Sequence, residues 1–405
     1  MAVNLPPLPE LYPVAGIRLG TTRAGIRKAN RRDLVIIECK PGTQAASVFT
    51  QNRFCAAPVV VAREHLSKAS PRALVINTGF ANAGTGEEGL RDARETCSAL
   101  ATQLNCRTEE ILPFSTGVIG ERLPVDRITA GLPGSLAALA GDGWAEAAHG
   151  IMTTDTLPKG SSRRVTIDGK TVTITGIAKG AGMICPNMAT MLAFVASDIS
   201  APREVLQSAL ARAADESFNR ISVDGDTSTN DACVLLASGE SGVSIPVATG
   251  KLFEQFQAAL LEVLAELSQA IIRDAEGATK FITIEVLNGG TREDALEVAY
   301  TIAHSPLVKT AFFASDPNWG RILAAVGRAR IDRLDVSKVS IYLDDVCIVE
   351  HGARSPSYSE ALGQKVMAQS EIRVRVLLGA GEAAARLWTC DFSYDYVKIN
   401  ADYRS

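Results

Sequence analysis

The sequence predicts an α+β fold, a layered α/β sandwich with a smaller C-terminal lobe. Three observations carry this prediction. Short Val- and Ile-rich runs recur early in the chain, amphipathic helical stretches separate groups of strands instead of following every strand, and period-two alternation dominates the last third. Strict βα alternation, the mark of a parallel fold, is absent.

Taken in order, Asp33 to Cys39, Pro58 to Ala62 and Arg72 to Asn77 are apolar runs bounded by turn residues, and each predicts a strand. From Glu88 to Leu104 the positions Leu90, Ala93, Cys97, Leu100 and Leu104 recur at three and four, which marks one face of a helix. Val165 to Thr175 alternates around Asp168-Gly169, a pair suited to the positive φ angles of a tight hairpin turn. Met191 to Ser197 is a continuous apolar run and predicts a buried strand. Ser200 is the expected cap of a helix through Leu206 and Leu210, and Leu252 to Ile272 predicts a long helix with an apolar face. Phe281 to Leu287, Lys338 to Leu343, Glu371 to Leu377 and Arg386 to Ser393 alternate as half-exposed strands do. No internal repeat or low-complexity linker is visible, and the softest boundary falls near Leu287 to Arg292.

Composition narrows the function. At 405 residues, 46% of them apolar and 21% charged, the chain has material for a large core and little for disorder. The net charge of -4 comes without a Lys/Arg stripe, so nucleic acid is not an expected partner. The first twenty residues hold four prolines and no basic segment leading into an apolar one, and no run approaches membrane-spanning length, so a soluble cytoplasmic protein is expected. The eight cysteines are scattered singly, without metal-ligand spacing, and are read as reduced thiols; no metal is expected. His65, His149, His304 and His351 fall in no metal or nucleophile motif, which leaves Ser-His-Asp chemistry poorly supported.

The most unusual stretch is KGAGMICPNMAT, Lys179 to Thr190. Gly180 and Gly182 admit unusual backbone angles, Pro186 fixes φ just upstream, and Ala189-Thr190 sets a small residue before a hydroxyl at a strand entrance. An N-to-O acyl shift at Thr190 followed by hydrolysis would split the chain after Ala189 and free an α-amine beside the threonine hydroxyl. That amine has a reference pKa of roughly 7.7 to 8.0, suited to act as base for its own side chain. Residue types alone leave a second reading open, in which KGAG is a Gly-rich turn feeding a buried strand.

The longer segment KGAGMICPNMATMLAFVASD resembles the signature of the ornithine acetyltransferase family, the glutamate N-acetyltransferases or bifunctional arginine biosynthesis proteins. NTGFANAGTG from Asn77, STGVIG from Ser115, MTTDT from Met152, SVDGDTSTND from Ser222, TKFITIEV from Thr279, DPNWGRILAAVG from Asp316 and the terminal INADYRS fit in the same order. The resemblance thus spans essentially the whole chain. Departures are modest: Phe80 stands where Asn is common, Ala232-Cys233 follows Asn230-Asp231 where a hydroxyl residue is usual, and Ser405 replaces a common Thr while keeping the hydroxyl.

This resemblance implies a sandwich of the self-processing N-terminal-threonine type, cut between Ala189 and Thr190 into chains of residues 1–189 and 190–405. Both chains would build one catalytic body, with a smaller lobe from about 288 to 385. It implies Thr190 as the nucleophile that takes the acetyl group from N2-acetylornithine and passes it to glutamate, with Thr116 and Gly117 forming the oxyanion hole. Thr153, Lys179, Thr190, Glu276, Asn400 and Ser405 are the implied substrate-binding positions. An α2β2 assembly is expected, no cofactor is needed, and acetyl-CoA stays open as a second substrate. Without the resemblance, Ser115-Thr116-Gly117 reads as a plain turn, Thr153 as a helix cap, and Lys179 and Glu276 as solvated charges. Tyr396, Val397, Ile399 and Tyr403 are the expected apolar anchors of a terminus packed into the site. Two other functions fit the same residues: a self-processed amidase or aminopeptidase, whose acyl-enzyme water empties, and an unprocessed amino-acid-binding protein.

Overall fold

A computed structural model describes residues 2–28, 30–185, 191–332 and 334–402. The N-terminal body has four layers. One sheet runs β1 (Ile17–Thr22), β2 (Leu34–Cys39), β4 (Ala73–Phe80) and β5 (Ile111–Val118). A second runs β3 (Gln44–Phe49), β10 (Ala232–Ala237), β8 (Leu192–Ser197), β7 (Lys170–Lys179) and β6 (Lys159–Ile167). Alternation sorts their side chains, because successive residues of a strand point to opposite faces. Val35, Ile37, Leu74 and Ile76 meet Leu192, Phe194 and Val234 between the sheets, where Phe114 and Phe194 pack edge to face at 5.1 Å. Leu34, Ile36, Ala73 and Val75 turn outward under α2 (Gly86–Leu104) and α3 (Val125–Ala137), alongside α1 (Ala57–Lys68). Ala193, Val195, Cys233 and Leu235 turn the other way, under α5 (Arg203–Asp215) and α6 (Lys251–Arg273). Helix α4 (Trp144–Gly150) contributes Trp144, Ala147 and Ala148 to the core between the sheets. The central strand β8 is buried at all six positions, which is why its sequence runs apolar without alternation.

The third sheet holds seven strands in the order β14 (Ala353–Arg354), β13 (Val346–Glu350), β12 (Ser340–Leu343), β15 (Glu371–Leu377), β11 (Phe281–Gly289), β16 (Ala383–Cys390) and β9 (Ile221–Ser222). Helices α7 (Arg292–Ala303), α8 (Pro306–Phe313), α9 (Trp319–Gly327) and α10 (Glu360–Met367) accompany it, and a separate core forms around Ile284, Val298, Ile341 and Val374. Strands β11 and β16 serve both cores: Phe281, Trp388 and Cys390 face α6, whereas Ile282 and Leu387 face the smaller core. A last helix, α11 (Tyr394–Ala401), lies at the C-terminal end of the described chain. The α+β layered prediction holds.

Several element predictions need correction. Pro58 to Ala62 is not a strand but the start of α1, with Pro58 in the first turn, where a missing N–H costs nothing. The Val59-Val60-Val61 run favours extended structure by propensity, yet Val59, Ala62, His65 and Leu66 are buried at helical spacing while Val60 faces solvent. Burial overrides propensity here. Ser200 does not cap α5, because its N–H and carbonyl are taken by Val243 and Ile245, and the helix starts after Pro202. The last predicted strand ends at Cys390, not Ser393: Asp391 leaves the ladder to accept the N–H groups of Thr279 and Lys280, and Ser393 caps α11. On α11, Val397 is 66% exposed and anchors nothing; Tyr396, stacked on Phe392, does. The Asp168-Gly169 hairpin is as predicted, with both residues at positive φ.

Candidate active site

The site forms where strand ends of the two body sheets meet. Strands β4 and β5 are parallel, with Thr78 opposite Thr116 and Gly79 opposite Gly117. At Gly117 φ is +135°, and a Cβ there would sit 2.2 Å from the Gly79 carbonyl carbon, so no other residue fits. Across from them β7 ends at Lys179 and the polypeptide continues through Gly180 to Met183, which itself holds a φ of +55°. For a non-glycine residue that conformation costs about 1 kcal/mol. It is held by Asp224, whose carboxylate accepts the N–H groups of Met183 and Ile184 at 2.7 and 3.0 Å.

Ala189 and Thr190, the predicted scission point, and Ser405 lie outside the described residues. The strand that follows Thr190 is well anchored: Met191 donates its N–H to Asp231 Oδ1 at 2.9 Å, and its carbonyl accepts the N–H of Ala232 at 3.1 Å.

The other predicted residues are brought together. Thr116, Gly117, Thr153, Lys179, Glu276 and Asn400 line one cavity of about 260 Å³. Lys179 and Glu276 are not solvated charges; they are only 8% and 7% exposed. Lys179 Nζ donates to Thr116 Oγ1 at 3.3 Å, and Asn400 Nδ2 donates to Glu276 Oε2 at 2.9 Å, so that α11 is tied to the end of α6. Gly182 gives Glu276 its room, since a Cβ at residue 182 would meet the carboxylate at 2.3 Å. Thr153 is not a helix cap but a loop residue, whose N–H donates to Asp155 Oδ2 at 2.9 Å.

Behind the cavity lies a buried charge network. Lys159 Nζ bridges Asp155 Oδ1 and Asp274 Oδ2, each at 2.7 Å, and Asp155 Oδ1 also accepts the N–H of Gly180 at 2.7 Å. Burial pushes the Asp155 carboxyl up, but Lys159 and Lys179 outweigh it and hold the group well below the ordinary carboxylate range. Lys179 is itself lowered by burial, with the Asp155 carboxylate opposing. Asp231, fully buried, is pushed well up by desolvation, opposed by the Met191 N–H and by Lys179, and its Oδ2 has no hydrogen-bond partner among the described residues.

Single-residue reading passed over several of these groups. Asn230 lines the cavity and joins the two sheets, its amide donating to the carbonyls of Ala81 and Ser115 at 2.6 and 2.9 Å. Asn230 and Asp231 end the SVDGDTSTND segment and Asp155 sits in MTTDT, so the motifs held the signal although no role was attached to these members. Among the described residues no His/Cys/Asp/Glu group could hold a metal ion, and none of the eight cysteines forms a disulfide.

Comparison with known proteins gives the family. The ArgJ family model matches residues 18–405. Two relatives, each called arginine biosynthesis bifunctional protein ArgJ, from Pseudomonas syringae pv. tomato and Pseudomonas fluorescens, are 54% identical over 406 residues and cover the full length of both chains. The crystal structure of the protein of that name from Bacillus halodurans is 36% identical, covers 52% of this chain and 99% of its own, and gives a TM-score of 0.50. An ornithine acetyltransferase from Mycobacterium tuberculosis, solved with ornithine, is 33% identical over 43% of this chain and 93% of its own, with a TM-score of 0.38. The chain belongs to the ArgJ family.

Proposed function

We propose that this enzyme moves the acetyl group of N2-acetylornithine to glutamate through an acetyl-threonine intermediate, after cutting itself between Ala189 and Thr190. The observation that carries the proposal is the convergence of Thr116, Gly117, Thr153, Lys179, Glu276 and Asn400, drawn from separate parts of the chain, on one cavity with buried charges of both signs. Both substrates carry an α-carboxylate and the donor adds a side-chain ammonium, so Lys179 and Glu276 supply the matching partners.

The chemistry needs little else. Freed as an N-terminus, the amine of Thr190 takes the proton of its own hydroxyl, and Oγ attacks the acetyl carbonyl of the donor. The same amine returns the proton to the departing ornithine nitrogen, leaving acetyl on Oγ. The amine of glutamate then attacks that ester and releases the hydroxyl. Each step passes through an oxyanion, which the Thr116 hydroxyl and Gly117 N–H are proposed to meet. Because Lys179 donates to Thr116 Oγ1, the Thr116 O–H is left free to donate elsewhere.

Self-cleavage is supported by the match to the Bacillus halodurans structure, in which nearly all of the solved chain corresponds to only about half of this one. The word bifunctional in the relatives' names fits a second donor, for which acetyl-CoA is the proposed molecule, and a pair of processed units, α2β2, is the proposed assembly.

A denaturing gel of purified protein is expected to show two bands of similar size, one beginning with threonine, and Thr190→Ala a single full-length band without activity. One uncut band from active wild-type protein refutes self-processing. Acetate in place of acetylglutamate among the products would identify a hydrolase.

A further inference from the structure

The reaction proposed above sets the site an electrostatic problem. It must hold, in turn, an acetylated amino acid whose side chain ends in an ammonium and an acceptor whose side chain ends in a carboxylate. One charged wall cannot serve both, since what attracts the first repels the second.

The cavity around Thr116 opens on two flanks of opposite character. On one side, a cavity of about 410 Å³ shares Thr154 and Glu276 with it and carries Asp274, Asp395 and Asp402 against Lys398. On the other, a cavity of about 210 Å³ shares Gly117, Val118, Thr153 and Thr154 with it and carries Arg27, Lys28 and Arg31. We propose that this second cavity is the subsite for the side-chain carboxylate of the acetyl acceptor, an inference that rests on the acetyltransferase reading.

The three cations play different parts. Arg31 spends its donors on the carbonyls of Met152 and Thr153, so it frames the wall next to Thr153 and adds charge without being free to grip. Arg27 lies 5.3 Å from the Phe80 ring centre and pairs through Nη1 with Glu121 at 2.9 Å, which leaves its other donors uncommitted among the described residues. Lys28 is exposed and has no hydrogen bond or ion pair among the described residues. Two acids also line this cavity. Asp33 is buried and occupied by the N–H groups of Ala24 and Ile26 at 2.7 and 2.6 Å, so its role is to hold the loop that presents the cations. Asp402 is exposed on the rim shared with the acidic cavity, and places the anion toward Lys28 and Arg27 rather than toward α11.

The test compares two acceptors of equal size and different charge. Wild-type enzyme is expected to prefer glutamate over glutamine by at least about tenfold in kcat/KM, and the double variant Lys28→Ala, Arg27→Gln to lose about tenfold of that ratio. General damage lowers both acceptors together and does not move the ratio. An unchanged ratio in the variant, or no preference in the wild type, overturns the subsite. A second measurement separates the subsite from the reaction: calorimetric titration with glutarate, a dicarboxylate without an amine. Glutarate binding that weakens about tenfold in the double variant supports the subsite even in a protein that transfers no acetyl group, whereas equal binding by both proteins overturns it.

Discussion

Thr116 shows how one side chain can be set by its buried neighbours. Its hydroxyl accepts from the buried Lys179, whose ammonium burial disfavours and Asp155 favours, so the direction of the Thr116 proton depends on a chain of three residues. Replacing Thr116 with Val keeps shape and burial and removes only the donor. The expected outcome is a fall in kcat of on the order of 100- to 1000-fold with KM little changed, measured by steady-state acetylglutamate formation. A loss confined to KM would assign Thr116 to ground-state binding. None of this could be read from Ser115-Thr116-Gly117 alone, which is compatible with an ordinary turn; what makes the glycine obligatory is the approach of the Gly79 backbone from the neighbouring strand.

At the scale of elements, α11 is the least buried of the α-helices and among the most consequential. None of its residues is buried, and it is held by Ser393 Oγ donating to the Gly277 carbonyl, Tyr396 OH donating to Asp224 and Asn400 donating to Glu276. Each of these contacts joins it to a segment that lines or supports the cavity. Deleting Asn400 to Ser405 removes the Glu276 contact while leaving the Ser393 and Tyr396 anchors, so the shortened protein is expected to fold and to show a raised KM for acetylornithine. Unchanged kinetics in the truncated protein would refute the role of this tail. The sequence predicted a terminus packed into the site, but neither that it is helical nor which side chains hold it: helical geometry turns Val397 to solvent and Tyr396 inward, a distinction that needs the partner surface.

For the whole molecule, the layers and the site draw on the same buried polar groups, and these set how stability depends on pH. His304, at the end of α7, meets Ser222 of β9, with Nε2 2.9 Å from its Oγ. Burial, reinforced by Lys309 and Arg328, lowers its pKa to about 4. A base depressed in the folded state favours folding above its unfolded pKa of about 6.5, and that contribution is lost as pH falls toward the folded value. Stability is therefore expected to decline between about pH 6.5 and pH 4, and His304→Gln to flatten that part of the profile, as followed by urea unfolding at several pH values. An identical slope in the variant would remove His304 as the cause.

What the sequence by itself determined is whatever depends on periodicity and on contiguous motifs: the α+β class, the hairpin at Asp168-Gly169, the long helix α6, the buried strand after Thr190, and the family to which the chain belongs. Those features are local, so neighbouring residues suffice to encode them. Only the tertiary structure decided that Lys179 and Glu276 are buried rather than solvated, that three consecutive valines enter a helix rather than a strand, and that Asn230, Asp231 and Asp155 stand at or behind the same cavity. The physical reason is common to all of them. Desolvation and charge pairing depend on which distant segments are packed alongside, and that is settled when the sheets stack, not along the chain.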